Sequence, residues 1–199
     1  MVSMDYAFMG DKSIDEDAEE HVVGDEDYEA NNADETKAKI LVARDSRSRV
    51  CAAIPVPQKG LDNDDWSLNE CLRFLEFLGY TNVVLKSDQE KALSALMRKI
   101  RTHRGDQTQT MQENSPVGDS KSNGLVERAI QTVQGQIRTL RSALEARLGV
   151  KIKPTSPVFA WIVTHASAII TLCEVGKDGR SSLPKIERPP HAARTRRVR

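Results

Sequence analysis

The sequence contains no long apolar segment and no pair of cysteines spaced for a metal or redox centre. No run reaches the roughly 18 apolar residues typical of a membrane-spanning helix. The start, MVSMDYAFMG, lacks the basic region of a signal peptide and carries an acid. The three cysteines and four histidines are scattered, so no zinc site of recognisable spacing is present. An odd number of cysteines without a secretory signal predicts a reducing compartment.

The chain is also poor in hydrophobic residues, which make up 39% of its 199 residues. Part of this deficit lies in the acidic stretch 11–36, and part lies in the Arg- and Pro-rich tail 185–199. Setting both aside leaves roughly 160 residues, enough to bury a core. We therefore predict one domain over 1–184 with an acidic, poorly ordered insertion at 11–36. The tail ends in RTRRVR, which could bind phosphate or direct nuclear import, although a solvated tail is the simpler account.

The net charge of zero conceals an asymmetry along the chain. Residues 1–36 contain 13 acidic side chains and one lysine, a net charge of −12. Residues 37–199 contain 28 basic and 16 acidic side chains, a net charge of +12. A basic body suits a polyanionic partner, because neutralised phosphates release their counterions. An ordinary charged surface beside a solvated acidic loop is the alternative interpretation.

Hydrophobic patterning predicts strands that alternate with helices. Strands are expected at 2–9, 39–44, 49–56, 82–86 and, on a weaker pattern, 107–111. Helices are expected at 65–78, 89–101, 125–148 and roughly 158–173. The second and third strands form a hairpin across the polar turn 45–48, and residues 113–124 read as a loop. This succession indicates an α/β domain with a mixed sheet.

Some details of these helices follow from single residues. Trp66 joins four leucines on the apolar face of the first helix, which Gly79 should end. Ser87 or Asp88 is placed to cap the second helix. Gly149 should end the third.

Three acids occupy positions where a carboxylate could bind a ligand. Asp5 lies within an apolar strand, and Asp88 follows a buried strand, where open α/β sheets place ligand sites. Glu127 lies in the first turn of the strongest helix. Each acid also has an ordinary explanation, as a water-facing strand position, a helix N-cap or a partner of the helix dipole. Glu90 is expected to point elsewhere on its helix and not to bind a ligand.

A polar edge follows Glu127 along the same helix. Gln131, Gln134 and Arg138 recur at spacings of three and four residues, which places them on one helical face. A carboxylate, two amides and a guanidinium in a row are suited to contacting phosphates.

The segments VSMDYAF, VVLKSDQEKAL and SPVGDSKSNGLVERAIQTVQGQIRTLR carry the three acids in order. They resemble the three acidic motifs of the retroviral and LTR-retrotransposon integrase core. PVFAWIVTHASAIITLCEVGKDGRSS resembles the tail of the same domain. The resemblance covers roughly residues 2–184 apart from the insertion. It implies an RNase H-like fold, with a five-stranded mixed sheet flanked by helices and the first three strands antiparallel.

The resemblance also implies a DDE-type polynucleotidyl transferase whose triad is Asp5, Asp88 and Glu127. By family analogy Asp5 bridges two Mg²⁺ ions, Asp88 adds to one and Glu127 to the other, with Mn²⁺ as a substitute. Three converging carboxylates would not stay ionised together without cations. Two ions about 4 Å apart stabilise the attacking and leaving oxygens of an in-line displacement at phosphorus. The nucleophile is water when a DNA end is trimmed and a DNA 3′-hydroxyl when strands are joined.

DNA is accordingly the expected partner, and the chain is expected to form a homo-oligomer. The predicted DNA contacts are Lys121, Asn123, Gln131, Gln134 and Arg138. Neither a membrane nor a small-molecule substrate is expected. The site of action implied by the resemblance is the nucleus, after synthesis in the cytoplasm as part of a polyprotein.

The sequence departs from the family pattern in its spacing and at its ends. Asp5 and Asp88 are separated by 82 residues, longer than usual, and the insertion accounts for most of the surplus. Asp88 and Glu127 are separated by 38, slightly more than is common. The family's zinc domain and further DNA-binding domain are not recognisable, so we expect a polyprotein fragment, a decayed copy or a co-opted copy. The alternatives are a related DDE transposase or nuclease, and a catalytically silent remnant that binds DNA or protein.

Overall fold

The structure is a computed structural model that describes residues 1–10, 37–105, 108–115, 123–176 and 178–182. The predicted insertion at 11–36, the tail over 185–199 and Lys121 lie outside these residues.

The described chain folds into five strands and four helices. The strands are β1 (Val2–Met9), β2 (Ala38–Asp45), β3 (Cys51–Val56), β4 (Asn82–Ser87) and β5 (Gln109–Asn114). The helices are α1 (Trp66–Leu78), α2 (Lys91–Arg104), α3 (Gly124–Leu148) and α4 (Pro157–Cys173). None of these helices combines the length and apolarity that crossing a bilayer requires.

The strands form one sheet in the order β3-β2-β1-β4-β5. β1 pairs antiparallel with β2, and β2 pairs antiparallel with β3. β4 pairs parallel with both β1 and β5. The five-stranded mixed sheet with three antiparallel strands is therefore confirmed, and β1 lies at its centre.

Both faces of the sheet are covered, which explains why β1 is apolar along nearly its whole length. Successive side chains of a strand point to opposite faces. Met4 and Tyr6 pack with residues of α1 and α2, such as Leu68 and Leu96. Ala7 and Met9 belong to a second core built largely from α3 and α4. By this alternation Asp5 shares the face of β1 that α3 and α4 cover.

The helix ends agree with the sequence pattern at two glycines. Gly79 and Gly149 follow α1 and α3 with φ of 67° and 69°. Both are left-handed, a conformation that costs glycine little, and their N–H groups donate to Glu76 O and Glu145 O.

Other details were predicted wrongly. Neither Ser87 nor Asp88 caps α2, which begins only at Lys91 with Glu90 as the residue before it. β5 starts at Gln109 and extends into the predicted loop, because it pairs with β4 along its length. Trp66 is 44% exposed and its indole N–H donates to Pro55 O, 2.9 Å away. Cys71 and Phe74 take the buried positions instead.

Candidate metal site on the central strands

The sheet register brings Asp5 and Asp88 to the same level. Ser3 of β1 pairs with Lys86 of the parallel neighbour β4. Two residues further along the chain from this pair are Asp5, in β1, and Asp88, just past the end of β4, so the two acids lie side by side. Asp5 is within the central strand and Asp88 directly follows the next one, as the sequence analysis expected.

Glu90 completes a group of three carboxylates. Asp5, Asp88 and Glu90 each offer an oxygen, and these oxygens lie within 4.8 Å of one another. All three side chains are half-buried. Oxygen ligands of this kind suit Mg²⁺, which also keeps several waters when it binds protein. The donor set and its partial exposure therefore fit a divalent metal ion.

A turn before α2 places Glu90 in this group. Asp88 Oδ1 accepts a hydrogen bond from the Glu90 N–H, 3.1 Å away, and Glu90 has an extended backbone with φ −61° and ψ 124°. The two residues are therefore not on one helix, where positions two apart would point to different sides. The expectation that Glu90 points elsewhere is wrong, because it assumed that the helix started at Gln89.

Backbone hydrogen bonds hold one oxygen of each aspartate. Asp5 Oδ1 accepts from the Tyr6 N–H at 2.7 Å, and Asp88 Oδ1 accepts from the Glu90 N–H. These hydrogen bonds orient the two carboxylates that contribute oxygens to the group.

The site carries an excess of negative charge. The pKa of Asp5 is raised from 3.8 to about 6; burial is the largest cause, and the charges of Asp88 and Glu90 act in the same direction. The Tyr6 hydrogen bond and the Lys59 ammonium act in the opposite direction. A metal ion would relieve the repulsion and favour the ionised form of all three acids.

Lys59 is a neighbour that sequence analysis did not single out. Its Nζ lies 2.7 Å from Glu90 Oε1. It also lies 5.6 Å from the centre of the Tyr6 ring and 5.0 Å from that of Phe8. The residue belongs to an irregular loop after β3, where no periodic pattern marks a functional position.

Glu127 lies outside the three-carboxylate group. It is exposed in the first turn of α3, while Val126 and Ala129 beside it are buried. Further along α3, Gln134 Nε2 donates to Phe8 O at 3.2 Å, which fixes the helix against β1. Glu127 precedes Gln134 by seven residues, nearly two turns, so both occupy the same side of α3. Its part in the metal site remains a prediction.

The predicted DNA contacts have different surroundings. Gln131 is exposed and Arg138 is half-buried. Gln134 already bonds to β1, and Asn123 is buried, with its Oδ1 accepting a hydrogen bond from Ser115 Oγ at 3.3 Å. These contacts give Gln134 and Asn123 a structural role whether or not DNA binds.

The fold is shared with solved retroviral integrases. No protein-family model matches the chain, and a search of curated proteins finds no relative. The HTLV-2 integrase catalytic core domain, solved in complex with magnesium in a trimeric form, is 13% identical with a TM-score of 0.59. That match covers 92% of this chain and 93% of the HTLV-2 chain. The catalytic core domain of BIV integrase is 15% identical with a TM-score of 0.56, covering 94% and 93%.

A longer structure aligns with the same region. A chain of the simian T-cell lymphotropic virus intasome, solved in complex with PP2A regulatory subunit B56 gamma, is 13% identical with a TM-score of 0.62. The match covers 96% of this chain but only 55% of that one, so the chain spans about half its length. The fold is thus that of the RNase H-like integrase catalytic core. The resemblance seen in the three acidic segments is confirmed at this level.

Proposed function

We propose that the chain is the catalytic core of a metal-dependent polynucleotidyl transferase that trims DNA ends and joins them to target DNA. The observation that carries this proposal is the convergence of Asp5, Asp88 and Glu90 on the central strands of an integrase-like fold. The magnesium in the HTLV-2 core supports Mg²⁺ as the metal here, with Mn²⁺ as a substitute.

Asp5 and Asp88 are the proposed primary ligands, because each presents a carboxylate held by a backbone hydrogen bond. Two bound ions would stabilise the attacking and leaving oxygens of an in-line displacement at phosphorus. The third ligand is either Glu90, which is already in place, or Glu127, which the family pattern assigns. Glu127 would have to approach from the first turn of α3, where its side chain is exposed.

DNA is the proposed substrate and partner. The net charge of +12 over residues 37–199 supports phosphate contacts, and Lys121, Gln131 and Arg138 are proposed to contribute to them. The HTLV-2 core has been solved in dimeric and trimeric forms, which supports self-association of this chain. Action in the nucleus follows from the same proposal.

The test is a comparison of four carboxylate variants on labelled DNA duplexes with Mg²⁺. Asp5→Asn and Asp88→Asn should reduce nicking and joining to background while the protein stays folded. Glu90→Gln and Glu127→Gln identify the third ligand, since only the variant that loses it should lose activity. Glu76→Gln, an exposed change on α1, is the matched control. Unchanged activity of Asp88→Asn would refute the proposal.

A catalytically silent, integrase-derived module that binds DNA or protein is the second candidate. It is favoured by the position of Glu127 outside the three-carboxylate group. In that case the unaltered chain would bind DNA, and neither Mg²⁺ nor Mn²⁺ would support strand cleavage. A related DDE transposase predicts the same variant effects as an integrase, and the transposase would be distinguished by the DNA ends it accepts.

A further inference from the structure

An ammonium group lies beside the three carboxylates although its residue comes from a distant loop. Lys59 Nζ is 2.7 Å from Glu90 Oε1, and its charge lowers the pKa of Asp5 against the effect of burial. A polar loop residue so close to a proposed phosphoryl-transfer site calls for a physical explanation.

Gly60, the residue after Lys59, holds the loop against both β1 and α2. The Gly60 N–H donates to the Tyr6 hydroxyl oxygen at 2.7 Å, which ties the loop to β1. Gly60 has a φ of +80°, and a Cβ built there would lie 3.1 Å from Ala92 O in α2. Only glycine accommodates both this conformation and this close approach. The position of Lys59 is therefore set by the contacts of Gly60 with β1, which carries Asp5, and with the first turn of α2, which follows Glu90.

The ammonium of Lys59 also lies near the aromatic rings of Tyr6 and Phe8. Lys59 Nζ lies 5.6 Å from the centre of Tyr6 and 5.0 Å from that of Phe8, within the range of cation–π attraction. These rings keep the ammonium near the site independently of Glu90.

The ion pair itself is easily exchanged. The side chains of Lys59 and Glu90 are 38% and 25% exposed. Pairs that remain in contact with water contribute little to stability, because solvent screens their attraction. A divalent ion is a stronger partner for Glu90 than a single ammonium, so metal binding would release Lys59.

Resting on the proposed function with Glu90 as the third ligand, we infer that Lys59 binds a DNA phosphate beside the carboxylate site once a metal ion has replaced it as the partner of Glu90. A lysine ammonium binds phosphate as a compact point charge. Lys59 is already beside the acids where a reacting strand would lie. In the metal-free protein the ammonium of Lys59 is paired with Glu90, so its binding to a DNA phosphate is weakened.

The opposing explanation makes Lys59 a counterion only. It would then reduce repulsion among the acids and would never touch DNA. Removing it would change metal affinity and leave DNA affinity unaltered.

The experiment measures binding of the full chain to a labelled DNA duplex by fluorescence anisotropy over a series of salt concentrations, with Ca²⁺ and with EDTA. Lys59→Met should weaken binding in Ca²⁺ roughly tenfold near 0.1 M salt, with a salt slope smaller by about one. Lys59→Arg should restore most of the affinity. Lys153→Met removes an exposed lysine from the loop between α3 and α4 and serves as the control.

A metal-free arm tests the release from Glu90. In EDTA, Glu90→Gln should bind DNA more tightly than the unaltered chain, and adding Lys59→Met to that variant should abolish the gain. The unfolding midpoints of all variants are compared to exclude misfolding.

The outcomes separate the inference from the function on which it rests. If the unaltered chain binds DNA and Lys59→Met has the same affinity and slope, Lys59 is only a counterion and the inference fails alone. If Glu90→Gln gives no gain in EDTA, the release from Glu90 is wrong. If the unaltered chain binds no DNA in either condition, both proposals fail together.

Discussion

Replacing Asp5 by asparagine should make the metal-free protein more stable at neutral pH. Asparagine keeps the shape of the side chain and an oxygen for the Tyr6 N–H, but it removes one of three neighbouring charges. The pKa of Asp5 is raised in the folded protein, so its ionisation opposes folding. This destabilisation is absent at a pH below the pKa of Asp5 in the unfolded chain. It is complete once the pH exceeds the pKa of Asp5 in the folded protein.

The size of the effect follows from the pKa. A rise from 3.8 to about 6 corresponds to an upper limit of roughly 3 kcal/mol. Because Asp5 is only half-buried, solvent screening reduces this to about 1–2 kcal/mol. As the pH rises from about 4 to about 6, the free energy of unfolding of the unaltered chain should fall by that amount relative to that of Asp5→Asn. In a chain of this size the change corresponds to roughly 2–8 °C in Tm.

The assay is urea unfolding in EDTA at pH 4 and pH 7.5, repeated with Mg²⁺. At pH 4 the two proteins should be equally stable, and at pH 7.5 without metal the variant should be the more stable. Mg²⁺ should reverse the order, because only the unaltered chain keeps the complete site. Glu76→Gln, an exposed change on α1 outside the three-carboxylate group, should show no such pH-dependent difference. An Asp5→Asn variant that is less stable at pH 7.5 in EDTA would refute the reasoning about charge repulsion.

Three further predictions concern the insertion, the basic body and the Lys59 loop. Replacing residues 11–36, which hold 12 acidic side chains, by a two-residue turn should preserve cooperative unfolding, since Met9 already pairs with Ala38. Its DNA affinity should rise, and loss of folding by circular dichroism would contradict this. Raising salt from about 50 to 200 mM should cut the DNA affinity of the unaltered chain by roughly 10³-fold if six phosphates are contacted, as measured by anisotropy, whereas salt-independent binding would count against the basic body. Gly60→Ala should destabilise the fold by about 1–2 kcal/mol in urea, because alanine is strained at φ +80° and meets Ala92.

Sequence patterning predicted β1 to β4 closely because both faces of the sheet are buried there, whereas the bounds of the more exposed edge strand β5 were missed. The apolar runs of β1 and β4 and the polar turn before β3 are strong local signals. The positions of Asp5 and Asp88 followed from these strands and from the tendency of ligand sites to lie at strand ends.

The rest of the site depends on contacts that no local pattern encodes. Periodicity predicts a helix from Gln89, but the Glu90 N–H donates to Asp88 and α2 begins only at Lys91. The side chain of Glu90 therefore lies beside the two aspartates. Lys59 reaches the site through the Tyr6–Gly60 contact, which joins residues 54 positions apart. Glu127 was chosen for its place in a motif, and its approach to the other acids depends on the packing of α3.

The chain order of the three acids has a consequence for how the protein is made. Asp5, Asp88 and Glu90 all precede α2 in the sequence. The residues of the core that α1 and α2 form with the sheet also come early, and the last of them is Ile100. α3 and α4, which cover the opposite face, leave the ribosome later. Because domains are synthesised from the N-terminus at about 5–20 residues per second, the carboxylates are available several seconds before that face is covered. A nascent chain would therefore present the acidic group proposed to bind metal before it possesses the helix proposed to lie along DNA.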